Sequence, residues 1–301
     1  MRGSKMYAPK KKKVAWRYLI FVAPAFVLHM LVVTLPSFRT LYYAFFDWSG
    51  IGQAVFVGFD NFVEMFTIDE TLQTALRNTL VWTLIFVTIP IILGVFVAVL
   101  VSGVKRGQMF YRTVYFLPHV LAAAIVGRIW STFYNPFFGF GAMFRRMGLD
   151  GLADVLWLGD PNIALFSVAF VGNWHWWGFV MVLFVAALHQ VDPDLYEAAR
   201  VEGCGKVRLF IHVTLPGILN TFVFVVMLSL MWSIISFDFI WVMTMGGPGR
   251  TTEMLSTWIY KNAFIMSRAG YASAISVLQM AIVTVIFVGN RFLGKKVEEY
   301  V

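Results

Sequence analysis

Charged residues are scarce in this sequence, at 13% of its 301 residues, whereas 59% of the residues are hydrophobic. A typical soluble domain has about a quarter of its residues charged and just under half apolar. Much of the surface of any folded chain stays exposed, so a soluble fold of this length could not cover so many apolar side chains. The composition therefore excludes an ordinary soluble protein and predicts that the apolar residues face a lipid bilayer.

Cysteine and the common catalytic motifs are also lacking. Cys204 is the single cysteine, which excludes an intramolecular disulfide framework and a cysteine-based zinc cluster. The phosphate-binding pattern G-x-x-x-x-G-K-[ST] is missing, because the nearest stretch, 246–251, has arginine for lysine and the wrong glycine spacing. The patterns H-E-x-x-H and G-x-S-x-G are missing too. We therefore expect no enzymatic activity, bound cofactor or metal site in this chain itself.

Long apolar runs dominate what is present. A helix that crosses the hydrocarbon core needs about 20 mostly apolar residues, because each residue adds only about 1.5 Å of rise. The sequence thus predicts an all-α membrane protein with about six transmembrane helices. The predicted spans are 18–35, 80–101, 113–133, 163–188, 219–243 and 272–292.

The basic residues predict the orientation of these spans. Lys and Arg concentrate at both chain ends and in alternate connections, and they are sparse in the remaining connections. The side richer in Lys and Arg is expected to be the cytoplasm, which places both termini there. The run Lys10 to Lys13 predicts a topology anchor rather than a nucleic-acid site, because an apolar helix follows it. The predicted organisation is a basic segment 1–17 (with 1–5 resembling a non-native leader), a six-span membrane domain 18–293 and a tail 294–301.

The connection 192–216, between the fourth and fifth spans, has the most informative pattern. Asp192 is a good N-cap and Pro193 fits the first helical position. Gly203 can adopt the left-handed conformation that stops a helix, and a second short helix is expected to carry Val207, Phe210 and Ile211 on one face. Exposed apolar residues of this kind mark either a docking site for another protein or connectors packed against their own bundle.

This connection resembles the EAA loop of the permeases of binding-protein-dependent ATP-binding-cassette importers. The resemblance is carried by Glu197-Ala198-Ala199, Gly203 after three residues, and then Val213-Thr214-Leu215-Pro216, with valine in place of the usual isoleucine. In that family the loop inserts into an ATPase subunit and transmits its closure to the spans. The resemblance implies that Glu197 holds the loop's internal hydrogen bonding, that Ala198 and Ala199 permit close approach, and that Gly203 forms the turn. Gly203→Asp would then uncouple ATP hydrolysis from transport without unfolding the bundle.

Further segments are similar to the carbohydrate branch of this family. They are Phe116-Leu117-Pro118, Trp130 followed by Asn135-Pro136, and Met245-Gly246-Gly247-Pro248, the last resembling the MalF-like or UgpA-like member of the permease pair. The resemblance implies a MalG-like second permease, two copies of a cytoplasmic ATPase that bind ATP and Mg, and an extracytoplasmic solute-binding protein. It also implies a location in a bacterial or archaeal inner membrane and a mono-, di- or oligosaccharide as the substrate, without identifying which one.

Two polar and aromatic clusters near the middle of predicted spans are candidates for solute contact. Aromatic rings that stack on sugar C–H faces, together with hydroxyls and amides, suit a carbohydrate. On the fifth span the serines and Trp232 follow i, i+3, i+4, i+7 spacing and should share one face, although small polar residues in spans also serve helix packing. Matching turns of MalF-type permeases contact sugar. The candidates are Asn173, Trp174, His175, Trp176, Phe179, Ser229, Trp232, Ser233, Ser236 and Asp238.

A different class of function stays open on the sequence alone. An ion-coupled secondary transporter or channel would show ionisable relays near the midplane and often inverted repeats. The sequence shows neither feature. Dependence on ATP and co-purification with an ATPase distinguish an importer subunit from this alternative.

Overall fold

The structure of the chain is a computed structural model that describes residues 19–104 and 106–298, with side chains described from residue 20 to residue 289 except at 105. The predicted basic segment 1–17 and the last three residues of the predicted tail lie outside the described residues. The described chain is helical apart from one two-stranded antiparallel hairpin. It contains four helices that are long and apolar enough to cross a membrane, or up to six if each of two bent pairs counts as one span. The prediction of an all-α protein with about six spans is therefore confirmed.

The first span is a helix with an internal irregularity. Helix α1 (Leu19–His29) continues through a π-helical turn (Met30–Thr34) into α2 (Leu35–Tyr43). The π-turn ends two residues before Pro36, whose nitrogen cannot donate the usual helical hydrogen bond. The hairpin of β1 (Phe46–Asp47) and β2 (Val55–Phe56) follows, and then α3 (Asp60–Thr67).

Two long helices form the centre of the bundle. Helix α4 (Glu70–Ser102) is capped at its N-terminus by Asp69, whose side chain accepts a hydrogen bond of 2.8 Å from the Leu72 amide. It packs along α9 (Ala164–Leu188). The two backbones approach closely at Gly94, where an added Cβ would lie 2.6 Å from Val180 Cγ1. Glycine at this position therefore sets the distance between the helices.

The third predicted span is not one straight helix. Helix α5 (Gln108–Val120) and helix α6 (Ala123–Phe133) meet at an angle of 91°. Pro118 lies in the last turn of α5, and Leu121 and Ala122 are extended. The prediction of a continuous helix over 113–133 was wrong, because hydropathy measures length and apolar content but not backbone direction.

The fifth predicted span is interrupted as well. After the short helices α7 (Phe140–Arg146) and α8 (Asp150–Ala153), helix α9 leads into the loop helices α10 (Pro193–Val201) and α11 (Lys206–Leu209). Helix α11 continues through a π-turn (Phe210–Thr214) and α12 (Leu215–Gly217), and the direction then changes by 71° into α13 (Leu219–Ile234). A break at 235–237 separates α13 from α14 (Asp238–Met243), so the prediction of one helix over 219–243 was also wrong. The described part of the chain ends with α15 (Leu255–Tyr260), a π-turn (Lys261–Ile265) and α16 (Ala269–Glu298).

Candidate solute cavity and coupling loop

The α5–α6 break and the break at 235–237, between α13 and α14, meet at a cavity of about 400 Å³. Irregular backbone at membrane depth is tolerated where it is buried in protein or lines a cavity. One wall comes from α9, one from the α5–α6 break, and one from the end of α13 and the start of α14. The lining residues are Phe86, His119, Ala123, His175, Trp176, Phe179, Leu228, Trp232, Ile235, Ser236, Phe237, Asp238 and Phe239.

Aromatic rings form most of the cavity wall. The ring of Trp176 lies 5.4 Å from that of Phe86, 5.0 Å from that of Phe179 and 6.2 Å from that of Trp232. Trp232 is 53% exposed, so the side of its ring that does not contact Trp176 is open. A solute in the cavity would therefore meet ring faces of the kind that stack on sugars.

Two histidines provide polar groups among these rings. The rings of His119 and His175 lie 4.9 Å apart, and His119 also stacks on Phe179 at 4.7 Å. His175 Nε2 donates to the Leu121 carbonyl at 3.1 Å, which satisfies an acceptor that the break leaves without a helical partner. His119 Nδ1 is buried and has no hydrogen-bond partner among the described residues. Sequence reasoning missed His119, and its only signal was its position directly after Pro118.

Six of the ten predicted solute-contact residues line the cavity: His175, Trp176, Phe179, Trp232, Ser236 and Asp238. The other four lie outside its lining. Asn173 Nδ2 donates to the Ala169 carbonyl at 2.6 Å, and Trp174 packs edge-on against Trp130.

Ser229 and Ser233 serve packing between helices instead. Ser229 Oγ accepts a 3.1 Å hydrogen bond from Trp176 Nε1. Ser233 Oγ donates a 3.0 Å hydrogen bond to Thr83 Oγ1. Both serines are fully buried. The residues predicted to share one face of the fifth span are therefore not all on one helix, because α13 ends at Ile234 and Ser236 belongs to the break.

Ser229→Ala is expected to lower the free energy of unfolding by about 1–3 kcal/mol, because Trp176 Nε1 would remain buried without an acceptor. Ser236→Ala is the matched control, and it should change this free energy by less than about 0.5 kcal/mol, since no described residue bonds to its hydroxyl. Thermal unfolding of the purified protein in detergent measures both. Equal effects of the two substitutions would show that the Trp176–Ser229 bond does not hold the tryptophan.

The loop helices have the geometry that the sequence predicts. Asp192 Oδ1 accepts a hydrogen bond of 3.0 Å from the Asp194 amide at the start of α10. Gly203 follows α10 with a φ of +76°, the left-handed conformation that favours glycine. Val201 is 89% exposed and Leu195 is 54% exposed, so apolar side chains of α10 point away from the described chain. This exposure favours docking over packing against the bundle.

The other loop candidates take different positions. Glu197 and Ala198 are exposed, Ala199 is half-buried, and the Glu197 side chain makes no hydrogen bond with another described residue. The internal bonding that the resemblance implied for Glu197 is thus not present in this structure. Leu215 is half-buried near α4, and Pro216 is exposed.

A polar network ties the Gly-Gly-Pro segment to the bundle on the opposite side of the molecule. The Glu253 carboxylate is fully buried and pairs with the Lys261 ammonium. Asn78 Nδ2 donates to the carbonyls of Thr251 and Glu253, at 2.8 and 2.9 Å. Gly246, with a φ of +82°, lies so close to the Glu253 carboxylate that a Cβ there would clash with it. Sequence reasoning recognised this segment only as a resemblance and missed the buried ion pair.

These features define a polytopic membrane protein with an aromatic cavity between broken helices and an exposed helical loop. Residues 15–299 match the family described as "Binding-protein-dependent transport system inner membrane component". The chain belongs to this family, which confirms the resemblance seen in the sequence. It is a multi-pass permease subunit of an ATP-binding-cassette importer in the cytoplasmic membrane, and ATP binding belongs to the ATPase partner.

Individual proteins resemble the chain over almost its full length. It is 33% identical to the probable ABC transporter permease protein YurN of Bacillus subtilis, over 87% of this chain and 90% of the relative. It is 34% identical to the diacetylchitobiose uptake system permease protein NgcF of Streptomyces coelicolor, over 95% of this chain and 85% of the relative. The fold resembles a solved bacterial ABC transporter involved in the import of the acidic polysaccharide alginate, with a TM-score of 0.82, 23% identity and coverage of 93% and 96% of the two chains.

Proposed function

We propose that this permease forms one half of the translocation path for a sugar and that the cavity is the part of the path that contacts it. The observation that carries the proposal is the meeting of the α5–α6 break and the break at 235–237 at one aromatic cavity. The similarity to a diacetylchitobiose permease supports a saccharide as the solute. The cavity residues proposed to contact it are His175, Trp176, Phe179, Trp232, Ser236 and Asp238, joined by His119.

The charges of the lining favour a neutral sugar over an acidic one. Asp238 contributes a carboxylate, and the described lining contains no lysine or arginine. An acidic sugar would meet this carboxylate without a basic side chain from this chain to offset it. Hydroxyl groups of a neutral sugar can instead donate hydrogen bonds to Asp238 and Ser236.

The loop 192–216 is proposed to couple the path to ATP hydrolysis. Its exposed apolar residues would insert into a cytoplasmic ATPase, present in two copies that bind ATP and Mg. A MalG-like permease would complete the path, and an extracytoplasmic binding protein would deliver the sugar. The alginate transporter has been solved in complex with a periplasmic protein that carries an alginate pentasaccharide, which supports such a delivery step.

Trp232→Ala is expected to lower the initial rate of sugar uptake by about two- to twelve-fold, because it removes one aromatic stacking surface. Phe224→Ala is the matched control, since Phe224 is also exposed on α13 but does not line the cavity. Uptake is measured in proteoliposomes that contain the whole complex, first with diacetylchitobiose and with an alginate pentasaccharide. Equal uptake by the Trp232 and Phe224 variants would place the sugar path elsewhere.

The class of transporter is tested by purification and by energy source. The chain, expressed with its genomic neighbours and purified in mild detergent, should bring a second permease and an ATPase with it. Uptake should require ATP inside the cell or vesicle and should persist when ion gradients are collapsed. Recovery of this chain alone, with uptake that follows an ion gradient, would support the secondary-transporter alternative instead.

A further inference from the structure

An apolar groove of about 590 Å³ lies between α4 and the coupling loop. Helix α4 contributes one wall, and α11 with the start of α13 contributes the other. Lys206 is the one charged residue of its lining, and the rest are apolar. The lining residues are Ile91, Ile92, Val95, Phe96, Val99, Lys206, Val207, Phe210, Leu215 and Phe222.

A second, more polar cavity of about 430 Å³ adjoins this groove. The two share Val99, Lys206 and Phe210, so Lys206 lies at their junction. Arg200 adds a second basic side chain to the polar cavity.

The charges of the two cavities have one sign. Neither described lining contains an aspartate or a glutamate. The three ion pairs between described residues involve other side chains, and they leave Lys206 and Arg200 without a described carboxylate partner. Two basic groups in one polar cavity suit a phosphate group, which accepts charge-assisted hydrogen bonds from both.

The depth of the groove matches one lipid leaflet. From Ile91 to Ser102 helix α4 rises by about 16 Å at 1.5 Å per residue, and the hydrocarbon of one leaflet is about 15 Å thick. Ser102 lies at the end of α4 that the basic-residue pattern assigns to the cytoplasm. The apolar groove therefore extends from the cytoplasmic interface toward the bilayer middle, along the path of an acyl chain.

We propose that an anionic phospholipid of the inner leaflet binds at this place. One acyl chain lies in the apolar groove, and the phosphate lies in the polar cavity between Lys206 and Arg200. Basic pockets on the cytoplasmic side of transmembrane helices have this preference for anionic headgroups. Because the lipid would contact α4 and both loop helices together, it would hold the coupling loop against the bundle.

The site is tested by photolabelling of the intact complex in nanodiscs of equal parts phosphatidylglycerol and phosphatidylcholine. In one sample the phosphatidylglycerol carries a diazirine on its acyl chain, and in the other the phosphatidylcholine does. Peptide mass spectrometry should find the phosphatidylglycerol label on 91–99 and 206–222, in excess over phosphatidylcholine. Equal labelling by the two lipids would show bulk lipid, and no labelling of this groove would show that protein, such as a helix of the second permease, covers it. Either result overturns the proposal.

Substitutions at the junction of the two cavities separate a specific site from general attraction to the membrane. Lys206→Gln should lower phosphatidylglycerol labelling roughly five-fold, the factor that one basic side chain near a membrane surface contributes, and should leave phosphatidylcholine labelling unchanged. Lys206→Arg should retain the label. The matched control is Arg208→Gln, which removes a charge from the same helix at a residue that lines neither cavity. An equal loss in the Arg208 variant would mean that net charge, and not this site, attracts the lipid.

Discussion

Lys261→Met is expected to lower the free energy of unfolding by about 3–5 kcal/mol, the effect of leaving a buried carboxylate without its ion-pair partner. Glu253 is fully buried in the bundle, and the Lys261 side chain is only 18% exposed. Water cannot replace the lost ammonium at such a depth, so the carboxylate would stay unpaired or take up a proton. The polar network that holds the Gly-Gly-Pro segment would loosen with it.

The contrast with a surface ion pair makes this prediction specific. Arg268 pairs with Glu64 on the same side of the molecule, but their side chains are 43% and 30% exposed. Arg268→Gln should therefore cost only about 0–1 kcal/mol. Thermal unfolding of each variant in the same detergent compares the two losses. Similar losses would mean that Glu253 has access to water in the folded protein.

The double variant Glu253→Gln, Lys261→Met tests whether the cost comes from the unpaired charge. Replacing both members of a buried pair by uncharged groups is often neutral, because neither charge then has to be desolvated. The double variant should thus be more stable than Lys261→Met alone. If the double variant is less stable than Lys261→Met alone, the Glu253 carboxylate holds the Gly-Gly-Pro segment through its packing, and an unpaired charge does not cause the loss of stability.

Much of the fold could be predicted because its determinants are local. The length of an apolar run sets a span, and Asp192 and Gly203 mark the ends of α10 by their own chemistry. The breaks were missed for different reasons. Pro118 occurs in a run apolar enough to span, and prolines in spans often leave the helix continuous. The break at 235–237 contains no proline or glycine, so it arises from tertiary packing.

Part of the cavity lining could also be predicted, because it depends on local sequence spacing. His175, Trp176 and Phe179 lie on one unbroken helix, where sequence spacing gives direction. Ser229 and Ser233 were predicted to join them by helical spacing on the fifth span, but a buried hydroxyl can equally serve a neighbouring helix, as Ser229 does for Trp176. His119 joins the cavity only because α5 ends directly after it. Its place depends on a break that no local pattern revealed.

Gly203→Val is expected to lower ATP-driven uptake by about five- to thirty-fold. The left-handed conformation at Gly203 costs an ordinary L-residue about 1–2 kcal/mol, and a β-branched residue is especially disfavoured there. An undocked loop can relax this strain, whereas a loop held in the ATPase cannot. The full cost then opposes the docked state, and each 1.4 kcal/mol is a factor of ten.

Three substitutions at this glycine distinguish strain, charge and size, because an added Cβ would meet nothing within 4 Å. The size of the new side chain should therefore have no effect of its own on uptake. Asparagine tolerates the left-handed conformation and should leave uptake near normal. Aspartate has nearly the same shape, so uncoupling by Gly203→Asp alone would identify its charge as the cause. Each variant is assayed for uptake per ATP hydrolysed in a complex whose subunit composition is unchanged. Normal coupling in the valine variant would mean that the docked loop does not use the turn seen here, and the exposed residues of α10 and α11 would then have to engage the ATPase from another geometry.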